Sequence, residues 1–318
     1  MIYDTRSSRG ENMYNLYFKT QYEETFHCIP NPTSGAWINC EYATIEDLRE
    51  IASILNIDPS DIQDALDKHE IPRTERSEDM VIVYTRFPYH QEAGYYTNTL
   101  TIILTKEYFV TICPSACPFI QNFISHPTTL ATSQKSKLLI NILLLTIQEY
   151  TKVSRQLRAL VLTQEKDLNQ VTSDDISELT MKEENLTQYL NSLLPVRKVI
   201  EEILTGKLTM IYEKDQELLE DLLLATAQAE DMCRLNLRII RSLRNTVQIL
   251  FTNQLNKTIK LLTALTIILN FPTMISSLYG MNVNLPFEKS PFAFLFIMLF
   301  IVVVSFTAFF FFKKRRWL

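Results

Sequence analysis

Two uncharged apolar runs close to the C-terminus constrain this chain more than any other feature. Leu261 to Tyr279 holds no charged residue over 19 positions, and Phe292 to Phe312 none over 21. A helix rising about 1.5 Å per residue needs roughly 20 such residues to cross the hydrocarbon of a bilayer. Both runs are therefore read as transmembrane helices, 261–279 and 292–312. The connection between them, 280–291, is too short for a domain and carries one acid, Glu288, and one base, Lys289. Lys257 and Lys260 precede the first run, and Lys313-Lys314-Arg315-Arg316 follows the second. Basic residues favour the cytoplasmic side, which places both termini in the cytoplasm and the short loop outside.

The first run is not apolar around its whole circumference. Asn256, Thr263, Asn270 and Ser277 recur at heptad spacing, and Ile259, Thr266 and Thr273 interleave with them. Alternating steps of three and four put all seven on one stripe of a helix, and six of the seven are polar. Polar groups facing lipid are costly, so the stripe must face protein or water. Packing between helices could use it, since Ser, Thr and Asn hold membrane helices together. One or two such residues suffice for packing, however, and this stripe runs the length of the span. A water-filled pore built from several copies of the helix is the better reading, because one chain has only two spans. Pro272 withholds an N–H from the Ile268 carbonyl and is expected to bend the helix.

At the outer end of this helix stands Leu278-Tyr279-Gly280-Met281-Asn282. With two C-terminal spans, a long preceding helix and a basic tail ending Trp317-Leu318, Tyr279-Gly280-Met281-Asn282 resembles the CorA family of magnesium and divalent-cation transporters. The resemblance covers essentially the whole chain, the N-terminal part only in its general pattern. It implies a funnel-shaped homopentamer in a cell membrane, with the first span lining the pore and Asn282 from five chains ringing the entrance. Elementary ion chemistry agrees. Mg²⁺ gives up its water reluctantly, so a pore can select the hydrated ion through acceptors that bond its water shell. A ring of neutral Asn282 amides can recognise such an ion without holding it too tightly to release. Gly280 is expected to allow a turn with positive φ or a close backbone approach, and Met281 completes the entrance.

Upstream, residues 1–132 alternate candidate strands and helices. Met13 to Thr20, Ala36 to Tyr42, Met80 to Pro88, Asn98 to Leu104 and Tyr108 to Cys113 are rich in β-branched and aromatic residues and read as strands. A hairpin is expected to join the last two through Lys106-Glu107. Thr44 and Asp47 make a capping box for a helix through Leu55, and Pro59-Ser60 opens another helix through Leu66. The fold class expected is an α+β cytosolic domain, an α/β sandwich, followed by long helices and the two spans. Met1 to Pro32 has scattered charges and no apolar core run, so no signal peptide is expected. The five cysteines lack a CxxC pattern and read as reduced thiols.

From about residue 133 the chain becomes long helices with almost no glycine. Lys135 to Lys166 and Ile176 to Leu204 are read as a helical hairpin within 133–212, turning at Thr172-Ser173-Asp174-Asp175. A helical pattern beginning near Lys214 meets no breaker before Pro272, so the helix, with 213–260 as its cytosolic part, is expected to run unbroken into the membrane, the residues from Lys214 to Tyr279 spanning roughly 100 Å. The stripe continues inward through Ser242, Asn245, Ile249 and Thr252.

Acids gather at the start of this helix: Glu213, Asp215, Glu217, Glu220, Asp221, Glu230 and Asp231. Counted back without gaps from Gly-Met-Asn, Asp221 coincides with a position where the family places a carboxylate in a divalent-cation site between protomers. The resemblance thus implies a regulatory Mg²⁺ site, besides the transported ion, at Asp221, with Glu220 and Asp231 as further candidates. Intracellular Mg²⁺ there would hold the pore closed. Asp64, Asp67, Glu78 and Asp79 are the possible partner acids. A solvated acidic face is the plainer alternative for any one of these carboxylates.

Residues 1–256 hold 24 of the 31 bases and 35 of the 36 acids, a net of −11. That suits a domain that meets cations and disfavours nucleic acid as a partner. With five glycines there is no Walker loop, dinucleotide fingerprint or nucleophile elbow, which argues against a membrane-anchored enzyme and against a nucleotide partner. A membrane sensor or scaffold without a pore remains the reading from another class. Within the family, Co²⁺, Ni²⁺ and Zn²⁺ are alternatives to Mg²⁺. One departure is Asn270, which by ungapped counting replaces a hydrophobic residue that narrows the pore in other members and so leaves Leu262, about two turns inward, and Ile259 as the candidate constrictions.

Overall fold

A computed structural model describes residues 14–77, 79–91, 94–164, 172–206, 213–281 and 291–317. The chain divides into two compact units, one of Met1–Asp167 with Glu178–Ser242, the other of Leu168–Ser177 with Leu243–Leu318.

The first unit is built on a seven-stranded sheet. β1 (Tyr14–Phe18), β2 (His27–Cys28), β3 (Trp37–Glu41), β4 (Arg73–Arg76), β5 (Met80–Gln91), β6 (Gly94–Thr105) and β7 (Phe109–Cys113) pair in the order β2-β1-β3-β7-β6-β5-β4. All pairs are antiparallel except β3 with β7, where Trp37 lies opposite Phe109 and Glu41 opposite Cys113. The five expected strands are present, and the hairpin through Lys106-Glu107 joins β6 to β7, with Leu104 opposite Phe109. β2 and β4 were not expected. Each is an edge strand, two residues long in one case and Arg-Thr-Glu-Arg in the other, so neither carries an apolar face to betray it.

Side chains alternate across the sheet and both faces are covered. Ile38, Cys40, Ile82, Tyr84, Ile103, Val110 and Ile112 share one core with Leu48, Ile51 and Ala52 of α1 (Ile45–Leu55) and with Ile62 and Ala65. The capping box is made: the Asp47 N–H donates to Thr44 Oγ1 at 3.3 Å and the Thr44 N–H to Asp47 Oδ2 at 2.8 Å. The helix expected from Pro59 to Leu66 is a 3₁₀ helix instead. Asp58 caps it tightly, accepting the Ser60 N–H at 2.8 Å. On the opposite face the buried Trp37 ring meets Phe26, Phe109 and Phe123, the last on α2 (Pro118–Ser125), and its Nε1 donates to Thr111 Oγ1 at 2.9 Å.

Three helices complete this unit: α3 (Lys135–Gln164), α4 (Ser173–Leu204) and the first part of α5 (Glu213–Tyr279). The polar segment read as the turn of the hairpin caps α4, the Thr172 N–H donating to Asp175 Oδ2 at 2.7 Å. In this unit α5 buries a seam at helical spacing: Leu219, Leu222, Thr226, Ala229, Cys233, Leu237 and Ile240. Across it Cys233 Sγ lies 3.2 Å from Ser154 Oγ, and Asn236 Nδ2 donates to the Ser154 carbonyl at 3.0 Å. The Tyr150 and Tyr189 rings pack edge to face.

The second unit contains α5 from Leu243 onward and α6 (Ala293–Lys314). Both helices are long and apolar enough to cross a membrane. Neither is a core helix, since 6 % of the most apolar window of α5 is buried and none of that of α6. α5 continues as helix through Pro272.

Candidate pore and cation sites

The stripe read from the sequence lies on one uninterrupted helix. Asn256, Ile259, Leu262, Thr263, Thr266, Asn270, Thr273 and Ser277 are all exposed in the single chain, as are Asn245, Ile249 and Thr252 farther back. Leucines on the other sides of α5, such as Leu265 and Leu269, are exposed as well, so it is angular position and chemistry that set the stripe apart. The threonines share one conformation. Thr263, Thr266 and Thr273 each donate the hydroxyl hydrogen to the carbonyl four residues back, at 2.8, 2.8 and 3.0 Å. A hydroxyl has one hydrogen and two acceptor lone pairs. With the hydrogen spent inside the helix, each oxygen turns outward as an acceptor alone. Such a row suits the hydrogens of water around a cation and offers nothing to an anion. The back-bonds also remove the cost of leaving a hydroxyl hydrogen unpaired in a membrane.

At its C-terminal end Gly280 closes α5, its N–H donating to the Ser276 and Ser277 carbonyls at 3.0 and 3.2 Å, and the Met281 N–H donates to the Leu278 carbonyl at 3.3 Å. The expected positive φ at Gly280 is not found: Gly35 and Gly206 are the glycines of that kind among the described residues. A Cβ at Gly280 would meet those two carbonyl oxygens at 3.5 Å, an ordinary contact. A single chain therefore gives no steric reason for glycine here. Asn282, Glu288 and Lys289 lie outside the described residues.

The acids at the start of α5 divide into two sets, a division the sequence reading did not make. Asp215 and Glu230 are buried, 1 % and 3 % exposed. Lys137 Nζ of α3 stands 3.7 Å from Asp215 Oδ1, while Arg197 of α4 and Arg234 approach Glu230 Oε2 at 3.6 and 3.8 Å. Burial pushes the Glu230 carboxyl above its ordinary range, against the pull of the two guanidinium groups. These two acids hold α5 to its neighbours. Their place on the buried seam, one turn from Leu219 and one residue after Ala229, was the signal that could have identified them.

Glu217, Glu220, Asp221 and Asp231 are exposed. Glu217 neighbours both Glu220 and Asp221 on the helix surface, three and four residues on, whereas Asp231 lies about 15 Å along the axis from Asp221. Among the described residues no three Asp, Glu, His or Cys side chains come together as a metal site. One chain thus supplies at most part of a ligand set, in oxygen donors of the kind Mg²⁺ takes. Of the possible partner acids, Asp64 is paired with Arg73 at 2.8 Å, Asp79 is paired with Lys106, and Asp67 accepts the His69 N–H at 2.8 Å. Glu78 lies outside the described residues.

A sheet domain joined by one continuous helix to a polar-striped apolar span, with a single further span after it, defines a two-span membrane transporter. A family model described as CorA-like Mg2+ transporter protein matches residues 33–314. The chain belongs to that family, whose members are transporters and not enzymes. It is 26 % identical over 289 residues to the cobalt/magnesium transport protein CorA of Methanocaldococcus jannaschii, covering 89 % of this chain and 91 % of that protein. The complete structure of the CorA magnesium transporter from the same organism superposes with a TM-score of 0.77 at 22 % identity, over 96 % of this chain and 99 % of that one. The cytoplasmic domain of ZntB from Vibrio parahaemolyticus shares the fold more distantly, with a TM-score of 0.59 at 10 % identity over 74 % of this chain and 96 % of that one.

Proposed function

We propose that this chain forms a homopentameric channel that admits hydrated Mg²⁺ into the cell, driven by the membrane potential. The observation that carries the reading is the row of threonine oxygens on α5, each left as an outward acceptor by its bond to the carbonyl four residues back. Five copies would turn the row into stacked acceptor rings, from Asn256 inward of the membrane to Ser277 near the outer mouth. Gly280, Met281 and Asn282 form the entrance, where the Asn282 amides meet the hydrated ion. Leu262 and Ile259, 58 % and 50 % exposed in the single chain, supply the constriction. A divalent ion gains about 4.6 kcal/mol in crossing ~100 mV of inside-negative potential, enough to drive uptake without a nucleotide. Both termini and the sheet domain are cytoplasmic in this reading.

Regulation is assigned to Asp221, with Glu220 beside it and Asp231 farther along the helix as further candidates, as carboxylates that share intracellular Mg²⁺ with a neighbouring protomer. Their exposure supports this, since an acid already buried against its own chain could not serve. Losing the ion leaves like charges facing each other and loosens the ring. The relative from M. jannaschii is named for cobalt as well as magnesium, so Co²⁺ is the first alternative cargo, ahead of Ni²⁺ and Zn²⁺.

Ion entry into liposomes holding the purified full-length chain tests the proposal. Mg²⁺ should enter under an inside-negative potential and stop entering with Asn282→Ala. Entry of Co²⁺ or Zn²⁺ without Mg²⁺ would overturn the ion; no divalent flux would return the stripe to helix packing.

A further inference from the structure

The basic tail is usually read as a topology signal, for which charge alone suffices. Here it is also a built structure. α6 ends in a complete left-handed cap: the Arg316 N–H donates to the Lys313 carbonyl at 3.1 Å and the Trp317 N–H to the Phe312 carbonyl at 3.0 Å. Arg316 takes φ 57°, a conformation usually left to glycine or asparagine. The turn folds Trp317 back so that its ring stacks on Phe312, centroids 5.4 Å apart at 28°. Arg315 lies 5.7 Å above the Phe311 ring.

The consequence is a compact cationic plate at one depth. Lys313, Lys314, Arg315 and Arg316 occupy a single turn directly after the last apolar residue of the span, all exposed, with no carboxylate within ion-pairing distance among the described residues. Trp317 sits at the same level with its indole against the apolar end, as tryptophans do at a membrane interface. Four unpaired cations are complementary to the phosphates of an anionic leaflet, and continuity with the span puts them at headgroup height.

We propose that this capped tail is a binding site for anionic phospholipid headgroups, with Arg315 and Arg316 as the phosphate-binding forks and Trp317 as the lever that fixes their depth. The proposal rests on the membrane placement of α6 and is independent of which ion is carried.

The protein contains its own probe. Trp37 and Trp317 are the two tryptophans, and Trp37 is fully buried in the sheet domain. Quenching of tryptophan fluorescence by bilayer lipids brominated on their acyl chains therefore reads Trp317. Full-length protein would be reconstituted in matched phosphatidylcholine and phosphatidylglycerol mixtures, with one or the other lipid brominated at equal mole fraction. Brominated phosphatidylglycerol should quench at least about threefold more effectively, and the preference should fade at about 1 M salt, where the screening length is about 3 Å. Arg315→Gln with Arg316→Asn leaves Lys313 and Lys314 as the topology signal and puts at position 316 a residue that accepts the left-handed cap. That variant should keep the quenching and lose most of the preference. Equal quenching by both lipids in the unaltered protein overturns the headgroup site, while ion flux in the same liposomes reports on transport separately. Absence of quenching by either lipid overturns the membrane placement as well.

Discussion

Replacing Thr266 by Val keeps the shape of the side chain and removes its oxygen, which isolates the acceptor on which the pore assignment turns. In a pentamer one substitution deletes five acceptors at one level. A hydrogen bond of this kind is worth about 0.5–1.5 kcal/mol net, and a hydrated ion that met three of the five at a time would lose roughly 2–4 kcal/mol. At 1.4 kcal/mol per decade that slows Mg²⁺ entry by about one and a half to three orders of magnitude. Thr307→Val is the control. Thr307 lies on α6 and makes the same back-bond, to the Val303 carbonyl at 2.7 Å, so the local cost to a membrane helix is alike. Flux into liposomes, normalised to protein incorporated, should collapse for Thr266→Val and stay within about twofold for Thr307→Val. Unchanged flux through Thr266→Val, or equal loss in both variants, would refute the reasoning and assign the threonine stripe to packing.

Three further outcomes follow from the acids, the buried cation and the regulatory site. Arg86→Met should destabilise the protein by about 2–4 kcal/mol in denaturant unfolding followed by Trp37 fluorescence. The buried guanidinium donates to the Thr97 and Glu70 carbonyls at 2.8 and 3.0 Å, and methionine leaves both acceptors without their donor. Glu230→Gln should change the pH dependence. A carboxyl whose folded pKa is raised binds its proton more tightly in the native state, so wild-type stability falls as pH climbs from the unfolded value through the folded one. The difference between the two proteins should therefore move in favour of glutamine from pH 4 toward neutrality, and a difference that is flat with pH would contradict the burial assignment. Asp221→Asn should leave Mg²⁺ entry intact and raise, by several-fold, the internal Mg²⁺ needed to stop it, measured with liposomes preloaded with the ion; an unchanged inhibitory concentration would remove Asp221 from the regulatory site.

What the chain sequence disclosed, and what it hid, follows the range of the interactions involved. The two spans, the helix ending at Tyr279 and the capping box at Thr44 depend on residues within one or two turns, and local pattern carries them. The parallel pairing of β3 with β7 depends on Trp37 meeting Phe109, 72 positions on, and nothing local encodes it. β4 was invisible for the opposite reason: Arg73 to Arg76 gains its strand geometry from β5 and has no core face of its own. Asp215 and Glu230 looked like members of a charged surface because their partners Lys137 and Arg197 stand on other helices.

The same long helix shows why the stripe could be found when those acids could not. Up to Val247, α5 is packed against its own chain along one seam, and an acid there takes its meaning from a distant partner. Beyond Val247 one residue of α5, Ala264, is buried among those described. From that point few side chains of α5 are covered among the described residues, so its own periodicity carries most of the message. Within the apolar run the stripe carries Thr263, Thr266, Asn270, Thr273 and Ser277; the three threonines return their hydroxyl hydrogens to the helix but keep outward acceptor oxygens, the Asn270 amide is the costliest to expose to lipid, and the polar side chains of α6 between Ala293 and Phe312 are Ser305 and Thr307. Two hydroxyls are too few partners for five polar side chains spread over about four turns. Water and further copies of α5 are the partners that the proposed pore would supply, and this is the physical ground for proposing one lined by this face.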